Sequence, residues 1–229
     1  MVVPVDAHGD GASTPEVVGT KEIWGSMVDV LVVCTANMIR SPLAELYLRE
    51  KFADLSITVR SAGTHPAPGD GMTRRARDAA KALGLSMTDA EAHRPQLLTR
   101  EMVEQADIIL GASRIHRSAC VRMDLSALGR AFTMREFARL SAAVDDEALQ
   151  RAVDRAGDDP NARVRAATDL VREVRGTTDP PGDPTVDDVF DPELSRRRSH
   201  YARMVSEMIP ALDMAVAFAD RVREASLVR

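Results

Sequence analysis

The sequence predicts an α/β protein, a three-layer fold built on a four-stranded parallel sheet with helices on both faces. Three observations carry this. Val28-Asp29-Val30-Leu31-Val32-Val33 has the length and β-branched composition of a fully buried strand. Ala44, Leu48, Phe52 and Leu55 then recur at helical spacing. Strand-like and helix-like segments go on alternating as far as Thr133, as they do in a parallel sheet covered on two sides.

Taken in order, the first strand ends at Cys34 and a turn leads into the first helix, with Ser41 expected as its N-cap and Pro42 as its first residue. Ile57 to Ser61 reads as the second strand, closed by Ala62-Gly63-Thr64 and joined to the first by a right-handed crossover. A helix is expected from Met72 to Leu83, stopped by Gly84, whose missing Cβ suits a left-handed residue. Thr99 to Glu104 reads as a short helix entering a third strand, Ala106 to Gly111. A helix over Ser113 to Val121 and a strand over Ala131 to Thr133 complete four repeats.

Residues 141–186 read as a helical insertion and linker: Val164, Ala167, Val171 and Val174 keep helical spacing on a charged background, and Gly176 to Pro184 is irregular. A solvated insertion is expected there rather than a lid. The last long segment places Tyr201, Val205, Met208, Leu212, Val216 and Ala219 on one helical face, with Pro210 expected to kink it. Residues 1–27 lack periodicity and are expected to form a flexible extension, with Trp24 as a partial cap over the core. Residues 28–229 then form the functional domain.

A chain of 229 residues suits one domain with insertions. Its two cysteines, Cys34 and Cys120, exclude a disulfide framework and suit a reducing compartment, with Cys120 read as a small core residue. The net charge of −5 leaves no nucleic-acid footprint, and no apolar run is long enough to cross a membrane, so a cytoplasmic location is expected. His116 and His200 lack partners at metal-ligand spacing; no metal or other cofactor is expected. Arg196, Arg197 and Arg198 read as a solvated first turn of helix.

The chemistry gathers between the first strand and the first helix. A loop feeding a helix N-terminus aims unpaired N–H groups at one point, with the positive end of the helix dipole behind them. Thr35, Ala36, Asn37, Met38, Ile39 and Ser41 would cradle an anion there, and Arg40 offers a planar fork for two of its oxygens. The same charges favour Cys34 as thiolate, a nucleophile aimed at the phosphorus of a bound phosphoryl group. Cleaving a phosphate ester also needs a proton for the departing oxygen. Among Asp159-Pro160, Asp179-Pro180, Asp183-Pro184 and Asp191-Pro192, only Asp191 lies directly before the last amphipathic helix, which can anchor it; Asp187 and Asp188 are the reserves.

Cys34 to Ser41, followed by Pro42-Leu43-Ala44-Glu45, resembles the signature loop of the low-molecular-weight protein tyrosine phosphatases. The resemblance continues through Ser61-Ala62-Gly63-Thr64, His93-Arg94 before Leu97-Leu98-Thr99, and Asp107, as far as about Phe137, and resumes at Asp187 to Pro192. It implies a phosphocysteine intermediate on Cys34, phosphoryl binding by Arg40 and general acid catalysis by Asp191. It also implies that Asn37, Ser61 and His93 hold the loop in a hydrogen-bonded network and that the Ser41 hydroxyl assists the cysteine. Phosphorylated proteins, phosphotyrosine first, are the implied substrates, and phosphate-like oxyanions the implied inhibitors.

The chain departs from the family pattern in places. Ala36 stands where glycine is usual, so a positive φ there would be strained. Ile39 replaces a second loop cysteine, and Glu193 and Leu194 replace the aromatic pair that flanks phosphotyrosine. His65 is the candidate to line the pocket instead. Two rivals remain: an arsenate reductase that borrows a small external thiol, marked by arsenate-dependent thiol consumption, and a module that captures phosphate groups without turnover.

Overall fold

Four parallel strands, β1 (Val28–Cys34), β2 (Ile57–Gly63), β3 (Ile108–Gly111) and β4 (Ala131–Thr133), form one sheet in the order β2-β1-β3-β4. The structure is a computed structural model that describes residues 28–55, 57–66, 69, 71–193 and 197–227. The extension 1–27 with Trp24, and the positions of Leu194 and Arg196, lie outside the described residues.

β1 is apolar along nearly its whole length because both of its faces are covered. Val28, Val30, Val32 and Cys34 pack into one core, and Leu31 and Val33 into the other. The first core is closed by α1 (Arg40–Lys51), α6 (Met134–Ala142) and α9 (Arg198–Leu227), with α2 (Arg74–Ala82) and α3 (Met87–Ala92) at its edge. The second is closed by α4 (Arg100–Gln105), α5 (Arg114–Met123) and a 3-10 turn at Leu125–Gly129. Cys120 is fully buried there, and burial pushes its thiol up to about 12.

Several element boundaries differ from the sequence reading. β2 runs on to Gly63 and β3 starts at Ile108. α3 and α6 were not anticipated; Ser86 caps the first, and Thr133 with Glu136 forms a capping box on the second. Gly84 does take the left-handed conformation after α2, with φ +75°.

The expected start of α1 is corrected. The helix begins at Arg40 with Ile39 in the cap position, no side chain caps it, and Ser41 is its second residue. Ser41 turns its hydroxyl to Cys34 instead, a partner that sequence spacing does not reveal.

Within residues 141–186, α7 (Asp146–Ala156) and α8 (Pro160–Thr177) form a hairpin that buries Leu149, Val153, Ala167 and Val171 in the first core. Arg175 lies over the Phe132 ring, 4.1 Å from its centroid, and pairs with Glu136. Val164 and Ala167 share a small apolar cavity with Val28 and Val30, at the end of β1 remote from Cys34. α9 continues unbroken through Pro210, so the expected kink does not interrupt the helix.

Candidate active site

Cys34 ends β1, where the chain first crosses to β2 on one side and later to β3 on the other. In open parallel sheets this switch point leaves a crevice beyond the strand ends. The loop from Thr35 to Ile39 lies in it, bound to the end of β2: Thr64 N–H donates to the Cys34 carbonyl at 3.0 Å and His65 N–H to the Thr35 carbonyl at 2.8 Å. Only glycine fits beneath. A Cβ on Gly63 would sit 2.6 Å from the Thr35 carbonyl oxygen and 3.0 Å from the Ala36 carbonyl carbon.

The left-handed residue of the loop is Asn37, with φ +54°. Ala36 does not take a positive φ, so its methyl group carries no backbone cost, contrary to the concern raised by the missing glycine. Asparagine tolerates this conformation better than most residues because its short amide bonds locally.

That amide organises the loop. Asn37 Nδ2 donates to Ser41 Oγ at 2.9 Å and to Ser61 Oγ at 2.8 Å, while Oδ1 accepts the Gln96 N–H at 2.8 Å. His93 Nε2 donates to the Asn37 carbonyl at 2.8 Å. Ser61 Oγ donates to Glu45 Oε2 at 2.6 Å, and burial raises the Glu45 carboxyl above its ordinary range. Asn37, Ser41, Ser61 and His93 thus meet in one hydrogen-bonded network. Glu45, Gln96 and Thr73, whose N–H donates to the Met38 carbonyl at 3.1 Å, complete the support.

Cys34 is 2% exposed, yet its sulfur faces a pocket of about 160 Å³ lined by the loop, Arg40, Asp191 and Glu193. Sγ accepts the Asn37 N–H at 3.3 Å and lies 3.0 Å from Ser41 Oγ. Arg40, 4% exposed, is held between the Asp191 carboxylate and Thr35 Oγ1, the latter at 3.3 Å. Asp191 keeps a 40% exposed side chain and accepts the Glu193 N–H at 2.9 Å, so its loop is tied down while its carboxylate reaches the pocket mouth.

The reserves point elsewhere. Asp187 pairs with Arg139 and Asp188 with Arg114, both at 3.0 Å. Asp159 and Asp183 cap α8 and the 3-10 turn Pro184–Asp187. His65 does not line the pocket; its ring turns to Thr64 Oγ1. Among the described residues, no cluster of three or more His, Cys, Asp or Glu side chains could hold a metal, and no helix is long and apolar enough to cross a membrane.

His116 is the residue that sequence reasoning missed. It is 3% exposed, with Nε2 2.9 Å from Thr35 Oγ1 and Nδ1 2.8 Å from Ser113 Oγ. Seventy-odd residues separate it from the loop, so only the pairing of β1 with β3 brings it there.

The family profile described as low molecular weight phosphotyrosine protein phosphatase matches residues 29–171. The chain belongs to that family. This phosphatase has Cys34 as the last residue of its first strand. It is 29% identical over 112 residues to a protein-arginine-phosphatase of Bacillus subtilis, a match covering 48% of this chain and 72% of the relative. It is 37% identical over 87 residues to the low molecular weight protein-tyrosine-phosphatase Etp of Escherichia coli, covering 38% of this chain and 55% of that one. The crystal structure of a low molecular weight phosphotyrosine phosphatase from Vibrio cholerae shares the fold, with TM-score 0.54 and 20% identity over 84% of this chain and 97% of that one.

Proposed function

We propose that this phosphatase hydrolyses phosphorylated proteins of the cytoplasm through a phosphocysteine on Cys34. The observation that carries the reading is the Cys34 sulfur, set beneath a loop amide and a serine hydroxyl in the pocket that also holds the Arg40 guanidinium and the Asp191 carboxylate. Phosphate-like oxyanions inhibit by taking the same cradle. Both named relatives act on phosphorylated proteins, which favours hydrolysis over arsenate reduction.

The Arg40–Asp191 ion pair closes the site. The phosphoryl group displaces Asp191 from the guanidinium, exchanging one anion for another on the same fork. Freed from Arg40, Asp191 takes up a proton from solvent; Cys34 Sγ, as thiolate, then attacks phosphorus in line, the S–P bond forms and the P–O bond breaks, and Asp191 gives that proton to the departing oxygen. In the second half, Asp191 takes a proton from water as the water oxygen attacks phosphorus. The S–P bond breaks, inorganic phosphate leaves, and the thiolate is restored with Ser41 turning its hydroxyl proton toward it.

Phosphotyrosine is the first substrate reading. A second is phosphoarginine, because Glu193 lines the pocket and, among the described residues, that lining includes no aromatic ring. A guanidinium leaving group would meet that charge.

The test is hydrolysis of p-nitrophenyl phosphate, a phosphotyrosine peptide and a phosphoarginine peptide by wild type, Cys34→Ser and Asp191→Asn, with inorganic phosphate as competitor. Wild type turns over, the serine variant does not, and loss of the carboxyl slows turnover about a hundred-fold or more. Full activity of Cys34→Ser would end the proposal. The ratio of the two peptide rates decides between the substrates.

A further inference from the structure

We propose that His116 is a positioning residue for phosphoryl binding: its ring orients the Thr35 hydroxyl, and Thr35 in turn keeps the Arg40 guanidinium in place when Asp191 releases it. This deepens the phosphatase reading and rests on it.

The geometry forms a chain, Ser113 to His116 to Thr35 to Arg40, with separations of 2.8, 2.9 and 3.3 Å. It is built into the fold. β3 ends at Gly111, where a Cβ would lie 2.9 Å from the Arg117 nitrogen and 3.3 Å from His116 Cβ, so the first turn of α5 can fold back only over a glycine. That close return brings the imidazole beneath the loop. His116 is not among the residues lining the Cys34 pocket, so it acts through Thr35 rather than on substrate.

The proton arrangement follows from the charges. Burial and the nearby Arg40 cation hold the ring neutral, with its pKa lowered to about 4, against weaker opposing pulls from Asp191 and Asp188. A neutral imidazole has one N–H and one lone pair. Arg40 already donates to Thr35 Oγ1, so the hydroxyl proton is best used on an acceptor. Nε2 is that acceptor, and Nδ1–H donates to Ser113 Oγ.

Among the described residues, Arg40 has two side-chain partners, Asp191 and Thr35. Catalysis requires Asp191 to leave the guanidinium and meet the leaving group. Thr35 is the partner able to stay, and the ring sets the direction of its lone pair.

The test is a double-mutant cycle with His116→Phe, Thr35→Val and both together, alongside His116→Gln. Readouts are kcat and KM on p-nitrophenyl phosphate, the inhibition constant of inorganic phosphate, and direct phosphate binding by calorimetry. Each single change is expected to weaken phosphate binding and lower kcat/KM by about 3- to 10-fold, the worth of one hydrogen bond. Together they should lower kcat/KM to within about two-fold of the larger single loss, well short of the product of the two, because they break one chain. His116→Gln, which keeps an acceptor, should recover part of the loss.

Additive losses would overturn the proposal, as would phosphate binding left unchanged in His116→Phe. If that variant does not melt cooperatively, Thr35→Val decides alone: the position is exposed, and unchanged phosphate binding there overturns the proposal equally. Failure of wild type to hydrolyse any phosphomonoester would strike the phosphatase reading instead, while calorimetry would still test the His116 chain.

Discussion

Replacing Gly63 by alanine tests whether the end of β2 sets the shape of the loop above it. The added Cβ would stand 2.6 Å from the Thr35 carbonyl oxygen, where ordinary contact begins near 3.4 Å, so something must move by about 0.8 Å. All three nearest atoms belong to the loop, two of them backbone, and the strand below is hydrogen-bonded to β1 along its length. The loop is therefore what shifts. Overpacking of this kind costs about 1–3 kcal/mol, which for a chain of this size lowers the melting temperature by roughly 2–12 °C. A displacement approaching 1 Å at the reacting group also costs up to about a hundred-fold in kcat/KM.

The assay is thermal unfolding and p-nitrophenyl phosphate kinetics, with Gly84→Ala as control. Gly84, unlike Gly63, has a positive φ, but no atom lies within 4 Å of its Cβ position, and it follows α2 on the surface. It should lose stability and keep its kcat/KM. Gly63→Ala with kcat/KM within about two-fold of wild type would refute the idea that this glycine places the loop.

Three further outcomes are expected. Asn37→Ala removes three side-chain hydrogen bonds and leaves a left-handed residue without its amide, so denaturant melts should show a loss of about 3 kcal/mol or more together with lower kcat/KM. For His116, the unfolded chain binds a proton near the ordinary 6.5 that the folded chain refuses until about 4. Stability should therefore fall as pH drops across that window, by about 3 kcal/mol in full, and His116→Gln should lose this share of the slope when melts at pH 7 and 4.5 are compared. Gly176 lies exposed near the end of α8 with nothing within 4 Å of its Cβ position, so Gly176→Ala should stabilise by roughly 0.5 kcal/mol without touching kinetics.

The sequence alone determined the parallel α/β fold, because both the double-faced apolar run of β1 and the strand-helix alternation are local patterns. It also put Cys34 and Arg40 on one short loop, since their spacing is local, and it singled out Asp191 as the candidate acid from its place before the last helix. For Ser41, local spacing suggested an N-cap and only the family resemblance linked its hydroxyl to the cysteine; in the fold that hydroxyl lies against the Cys34 sulfur across the loop. α3 and α6 were not read from the sequence.

What only the tertiary structure decided is everything that depends on contacts between distant segments. The packing of α7 and α8 into the core, the Arg40–Asp191 pair across 151 residues, the close fit over Gly63 and the seat of His116 under Thr35 all arise this way. Periodicity reports which face of a segment is apolar. The hydrogen-bond partner of a buried imidazole is set by which strands pair, and here the pairing of β1 with β3 put it beneath the loop.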